Sequence, residues 1–490
     1  MNERVSPLVE SMSLPIRHDL FIGGQWRPAS AGRTFDVHNP ANGDSFAKVA
    51  DAAPSDGIAA IDSAAAAAES WRATSPRARS EILRRAFTLL SERNDVFAQL
   101  IALENGKALS DARSEIAYAA EFFRWNSEEA VRPRGEMYMA PSGRNRILVQ
   151  YQPIGICVLV TPWNFPAAMI TRKVAPALAA GCTCVLKPAA ETPFTALALA
   201  DLLAEAGVPA GVLNVVTTST PAALINPMLH DLRVRKLSFT GSTQVGRLLL
   251  REAADQVISC SMELGGNAPF IVFDDADLEV ALRGAMVAKM RNGGQACTAA
   301  NRFFVQRGVA ERFSHMLTDR MRAMVVGSGL DPRSEVGPLI SAKGRDKVAS
   351  LVDDAVARGA QVLAGAGEVA IPGYFYMPTV LMNVPDDASI SKEEIFGPVA
   401  AISVFEDEDE VVRRANSSEY GLISYVFTAD SARGLRISER LESGMVGLNL
   451  GLVSDPAAPF GGVKQSGLGR EGGAHGLSEY LEAKYIAMPN

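Results

Sequence analysis

From Gln150 onwards the chain alternates short, continuously apolar runs with helical stretches, and this alternation constrains the fold more than any other feature. Gly155 to Val160, Thr183 to Lys187 and Val212 to Val216 read as strands. Pro166 to Ala180 and Pro193 to Ala206 read as the helices between them, with Pro166 at the first helical position. Strands without polar alternation are buried on both faces, so the pattern predicts a parallel sheet covered by helices on either side. Lys236 to Phe239 then runs into Thr240-Gly241-Ser242-Thr243-Gln244-Val245-Gly246, which opens another helix. A strand, a glycine turn and a helix N-terminus together offer backbone N–H groups to a pyrophosphate. The spacing is not Gly-x-Gly-x-x-Gly, and a plain tight turn accounts for it equally well.

The alternation resumes with Ile258 to Glu263, a turn at Leu264-Gly265-Gly266, a strand through Phe270 to Phe273 and a helix carrying Leu278, Leu282 and Met286. A second α/β series is expected beyond it. Its helices fall near 310 to 324, 341 to 358 and 407 to 416, and its strands near 379 to 383, 398 to 405 and 423 to 427. A glycine-rich stretch, Pro459 to Gly473, precedes a final strand around Tyr480 to Ile486 and reads as an ordered loop over a site. Upstream, Leu20 to Asp51 predicts short strands and turns. Helices are expected at Ala59 to Trp71, Pro76 to Asn105 and Asp111 to Val131, with Ser75 capping the second ahead of a first-turn proline. Residues 1 to 18 read as a loose arm.

A net charge of -7 argues against a nucleic-acid or anionic-membrane partner. The first twenty residues lack the apolar core of a signal peptide, and no run reaches membrane-spanning length. Five cysteines, at 157, 182, 184, 260 and 297, form no regular framework and point to a reducing, cytoplasmic setting. With 48% hydrophobic residues over 490 positions, the chain holds enough apolar side chain for roughly three domains.

Arg291-Asn292-Gly293-Gly294-Gln295-Ala296-Cys297 breaks a helix with two glycines and then presents a thiol. Glycines let backbone approach a ligand closely, and neighbouring N–H groups favour a thiolate. Most free cysteines, however, are small buried residues, and the loop alone does not decide between the two.

Taken with other segments, the loop is no longer generic. Thr161-Pro162-Trp163-Asn164-Phe165-Pro166, Lys187-Pro188-Ala189, Phe239 to Gly246, Met262-Glu263-Leu264-Gly265-Gly266, Gly294-Gln295-Ala296-Cys297, Glu393-Glu394-Ile395-Phe396-Gly397-Pro398 and Pro459 to Gly473 occur in one order. In these the chain resembles the NAD(P)-dependent aldehyde dehydrogenase superfamily from about residue 20 to the end, and within it the succinate-semialdehyde dehydrogenases. The resemblance implies an α/β fold with a Rossmann-like cofactor domain (1–131 and 150–262), an α/β catalytic domain (263–465) and small oligomerisation segments (132–149 and 466–490). It also implies a homodimer or homotetramer.

The resemblance makes Cys297 the nucleophile, and attack on an aldehyde carbonyl creates an oxyanion. By the same resemblance that charge is held by the side-chain amide of Asn164 with the backbone N–H of Cys297. The five histidines lie outside every segment quoted, so the base that releases the acid is Glu263 by family analogy, with Glu471 as a second proton acceptor. A carboxylate capping the Gly265-Gly266 turn is the plainer reading of Glu263. The cofactor, NADP or NAD, is expected over Gly241, Ser242 and Gly246. Thr161, Pro162, Trp163, Lys187, Ala190 and Leu264 are expected along it, and Glu394 with Phe396 at the nicotinamide ribose. No metal is implied.

Arg172, Arg291 and Ser454 fall where succinate-semialdehyde dehydrogenases hold the substrate's distal carboxylate, and a guanidinium pair suits that group. Asp455, beside Ser454, is a departure that would repel an acid if it pointed inward. NAD-preferring relatives carry a glutamate at the position of Ala190; its absence here, with Glu191 expected to aim elsewhere, favours NADP. The expected reaction is oxidation of succinate semialdehyde, with glutarate semialdehyde or an uncharged aldehyde as alternatives. A thiol hydrolase or acyltransferase would use Cys297 too, but has no need of Glu394-Ile395-Phe396.

Overall fold

The computed structural model describes residues 16–367 and 369–490; most of the arm expected over 1 to 18 lies outside the described residues. An eight-stranded sheet is built around Leu213–Val215, Thr183–Lys187, Ile156–Val160, Val234–Thr240 and Ser259–Glu263, side by side in that order and mutually parallel. Numbered along the chain from Ile156, the spatial order is 3-2-1-4-5, that of the Rossmann fold. The order reverses between Ile156–Val160 and Val234–Thr240, and ligands of such sheets lie beyond the strand ends at that reversal. Every residue of Ile156–Val160 and Thr183–Lys187 is buried, as the continuous apolar runs require. Gly467–Leu468, from near the end of the chain, pairs antiparallel with Met262 and Glu263 at the edge of this sheet.

A seven-stranded sheet holds Gln361–Ala364, Thr379–Met382, Val399–Phe405, Ala300–Gln306, Ala268–Val272, Ile423–Phe427 and Met445–Leu448, parallel apart from the first strand. A third, antiparallel sheet joins Glu136–Met139, Asn145–Pro153 and Leu481–Pro489.

Local sequence explains most boundaries. Ser75 accepts from Ala78 N at 3.2 Å ahead of Pro76–Glu92, and Ser242 caps Thr243–Ala254 through Val245 N at 3.4 Å. Two expectations differ. The helix expected over Pro76 to Asn105 breaks at Arg93 (φ −101°, ψ 17°) into Pro76–Glu92 and Asn94–Glu104. The helix expected from Pro166 begins at Ala168, because its N-terminus is capped from another element: Glu115 Oε1 accepts from Ala167 N (2.8 Å) and Ala168 N (3.2 Å). Pro221–Leu229, Ser431–Arg440 and Met445–Leu448 are further elements that the alternation did not single out.

Candidate active site

A cavity of about 1030 Å³ opens at the strand-order reversal and reaches the 291–297 loop. Pro162, Trp163 and Asn164, which follow one strand of the reversal, line it together with Gly241 and Ser242, which follow the other. Cys297, Leu264, Glu394, Phe396, Arg172, Arg291 and Ser454 line it as well. Thr161, Lys187, Ala190, Gly246, Glu263 and Glu471 are not among the lining residues.

Cys297 is half-buried, in a loop that packs against backbone on two sides. A Cβ on Gly266 would lie 2.5 Å from Cys297 O, and one on Gly294 (φ +79°) 2.1 Å from Gly397 O, so both positions exclude a side chain. Burial pushes the Cys297 thiol up to about 12, while the Arg172 and Arg291 charges pull the other way. Asn164 is buried and its Nδ2 donates to Gln295 O at 3.2 Å, which leaves its second N–H uncommitted among the described residues. The Asn164 carbonyl is held from behind by Lys107 Nζ at 2.7 Å. Lys107 in turn forms a fully buried ion pair with Glu115 (2.5 Å).

Glu263 is buried, and neither of its carboxylate oxygens has a hydrogen-bond partner among the described residues. Burial, and after it the Glu471 charge, push its carboxyl well above the usual range. It does not cap the glycine turn: Gly265 N donates to Thr243 Oγ1 (3.3 Å) and Gly266 N to Glu394 Oε1 (3.1 Å). A Cβ on Gly461 would lie 2.9 Å from Glu263 Oε1, so the glycine-rich loop leaves the carboxylate its room. Glu471 accepts from Lys173 Nζ at 2.5 Å, and its Oε2 lies 3.7 Å from Arg172 Nε.

Arg172 is buried. Its Nη2 donates to the Tyr118 hydroxyl at 2.6 Å and its guanidinium lies 4.0 Å from the Phe460 ring centroid, while Nη1 has no hydrogen-bond partner among the described residues. Arg291 is half-buried, 4.9 Å from the Phe165 ring centroid. Asp455 is exposed and accepts from Ala457 N at 2.8 Å, so its charge is spent on its own turn and does not face the cavity.

Towards the other end, Trp163 and Phe396 meet edge to face at 5.4 Å. Burial raises Glu394 to about 7. Lys187 is buried and lowered to about 8 by that burial, with the Glu191 charge opposing. Glu191 lines the cavity and Ala190 does not, contrary to the expectation that Glu191 aims elsewhere. Gly246 is a packing point, since a Cβ there would meet Leu264 Cδ2 at 2.4 Å. Lys107, Glu115, Tyr118 and Asn292 were not picked out from sequence. Only the Asn-Gly pairs beside Lys107 and at Asn292 signal a turn there.

The aldehyde dehydrogenase family model matches residues 26–486. The chain belongs to the aldehyde dehydrogenase family. It is 55% identical to the succinate-semialdehyde dehydrogenase of Paenarthrobacter nicotinovorans, over 90% of this chain and 98% of that one. It is 49% identical to the NADP(+) succinate-semialdehyde dehydrogenase of Escherichia coli, over 96% and 98%. The crystal structure of succinate-semialdehyde dehydrogenase from Burkholderia pseudomallei superposes with a TM-score of 0.97 at 47% identity, covering 98% of this chain and all of that one. Among the described residues of this aldehyde dehydrogenase, no helix is long and apolar enough to cross a membrane.

Proposed function

We propose that this aldehyde dehydrogenase oxidises succinate semialdehyde to succinate with NADP, through a thioester on Cys297. The observation that carries the substrate assignment is Arg172: a buried guanidinium on the cavity wall with an unpartnered Nη1, sharing that cavity with Arg291, Ser454 and the thiol. A buried donor without an acceptor is costly, and a substrate carboxylate supplies one.

Cys297, having released its thiol proton to solvent, adds as the thiolate to the aldehyde carbon, and the resulting oxyanion takes the free N–H of the Asn164 amide together with the Cys297 backbone N–H. NADP held in this cleft would supply the hydride acceptor. Glu263, whose carboxylate oxygens have no hydrogen-bond partner among the described residues, then takes a proton from the water that cleaves the thioester, with Glu471 as a second proton acceptor. The turn at Gly241, the N-terminus of Thr243–Ala254 capped by Ser242, the Trp163 and Phe396 rings and Glu394 fit a dinucleotide; the buried Lys187 supplies a positive charge.

Residues 1–131 and 150–262 are assigned to cofactor binding, 263–465 to catalysis, and 132–149 with 466–490 to association into a homodimer or homotetramer. Five free thiols fit a cytoplasmic enzyme. The test is a steady-state panel of succinate semialdehyde, glutarate semialdehyde and an uncharged aldehyde of similar length, each with NADP and NAD. Succinate semialdehyde with NADP is expected to give the highest kcat/KM, about tenfold or more above the uncharged aldehyde. Equal values for charged and uncharged aldehydes would sink the assignment.

A further inference from the structure

The two loops that carry the proposed oxyanion donors are tied together by one side chain outside the cavity wall. Asn292 Nδ2 donates to Asn164 O at 2.8 Å and to Gln295 O at 3.2 Å. Gln295 O also accepts from Asn164 Nδ2 at 3.2 Å, so the three residues close a ring of hydrogen bonds. The backbone N–H of Asn292 is pinned by Asp111 Oδ2 at 2.7 Å. Asn292 is 1% exposed and sits at φ +52°, ψ +37°, a left-handed conformation that asparagine tolerates better than most residues.

An amide has two N–H groups in one plane. With one of the Asn164 N–H groups committed to Gln295 O, the direction of the other follows from where the Asn164 backbone and Gln295 O stand relative to each other. Lys107 Nζ holds the Asn164 carbonyl alone, whereas Asn292 ties that relation together, because it holds the carbonyls of both residues from one point. Hydrogen bonds weaken steeply with angle, and small misplacements of a reacting group cost about 100-fold in rate. We propose that Asn292 is a positioning residue that aims the free N–H of Asn164 at the oxyanion on the Cys297 adduct. The inference rests on the reading of Asn164 as an oxyanion donor.

Two variants test it. Asn292→Gly keeps the left-handed backbone at no steric cost and deletes the amide. Asn292→Asp keeps the shape but turns an acceptor towards two carbonyls. Each is compared with wild type in single-turnover formation of reduced nicotinamide, with enzyme in excess over succinate semialdehyde, alongside the KM for NADP and the thermal midpoint.

The single-turnover rate is expected to fall about tenfold in Asn292→Gly and further in Asn292→Asp, with the NADP KM within about twofold of wild type. In an Asn164→Ala background, Asn292→Gly is expected to have no additional effect on that rate, the non-additivity of two residues acting as one unit. A wild-type rate in Asn292→Gly, with Asn164→Ala slow, overturns this inference alone. A wild-type rate in Asn164→Ala overturns the donor reading and this inference with it. Parallel losses of rate, NADP binding and thermal midpoint make Asn292 a structural residue and also overturn it. Should Asn292→Gly not fold, Asn292→Asp carries the same comparisons.

Discussion

At the scale of single residues, the proposed reaction turns on the thiol and the two arginines of the cavity wall. With the Cys297 thiol pushed up to about 12, its thiolate fraction grows about tenfold per pH unit across the neutral range. Alkylation of Cys297 by iodoacetamide in the cofactor-free enzyme is therefore expected to climb from pH 6 to pH 9 without levelling. A plateau below pH 8 would mean that a neighbour already removes the proton. Under the proposed function, replacing Arg291 or Arg172 by alanine would remove a charge-assisted hydrogen bond to the substrate carboxylate of about 1.5 to 3 kcal/mol. Each is expected to lower kcat/KM for succinate semialdehyde by about 10- to 100-fold while an uncharged aldehyde barely responds. Arg172 also holds Tyr118 and stacks on Phe460, so equal losses on both substrates would identify it as a core cation. Glu191 lines the cavity and faces the buried Lys187 with its charge. Two like charges at contact repel by about 1 kcal/mol in water and more in a partly dry cleft. Glu191→Ala is accordingly expected to raise the NADP-to-NAD ratio of kcat/KM about tenfold; an unchanged ratio would place Glu191 away from the 2′ position.

At the scale of elements, the helix Ala168–Ala180 carries Arg172 and Lys173 into the site, and its start depends on a carboxylate from Leu109–Glu129. Glu115 satisfies the Ala167 and Ala168 N–H groups and neutralises Lys107, with no part of either charged side chain exposed. Glu115→Ala strands a buried cation, a loss of about 3 to 5 kcal/mol that a urea midpoint would register. Burial lowers the Lys107 pKa. In the variant, the unfolded state then binds the proton more tightly, stability rises with pH, and the loss is expected to be smaller at pH 9 than at pH 6. A loss that does not change with pH would show that the cap, not the charge, matters. The same helix shows where sequence reading stops. Thr183–Lys187 and Pro193–Ala206 were legible to the residue, because apolar continuity and a first-turn proline are local signals. The start at Ala168 was not, because its cap lies about fifty positions upstream in the chain. The break at Arg93 carries neither glycine nor proline and has no local signature. That Cys297, Asn164, Arg172 and Arg291 share one cavity follows the motifs and the resemblance. Asn292, Lys107 and the position of Glu191 on the cavity wall depend on contacts between distant segments.

At the scale of the whole molecule, the antiparallel sheet of Glu136–Met139, Asn145–Pro153 and Leu481–Pro489 leaves Met137 64% and Tyr485 58% exposed, with Tyr138, Met139 and Tyr151 also open. Met137 and Met139 stand on one face of this sheet and Tyr138, Tyr151 and Tyr485 on the other, and the association proposed above would cover the Met137 face with a second copy. Met137→Glu is expected to shift sedimentation towards smaller species with the fold intact by circular dichroism, and unchanged sedimentation would move the interface elsewhere. The pairing of Gly467–Leu468 with Met262 and Glu263 bears on a different matter, the making of the protein. At roughly 5 to 20 residues per second, synthesis of this chain takes on the order of 25 to 100 s, and its N-terminal part folds while the rest is still being made. Throughout that time the strand that ends in Glu263 has an open edge, and the carboxylate lacks both Gly461 and Glu471 beside it. Cys297 is translated before Phe460, Gly461 and Glu471 exist, and a chain that stalls short of Glu471 carries the thiol without the loop and carboxylate that complete the cavity's surroundings.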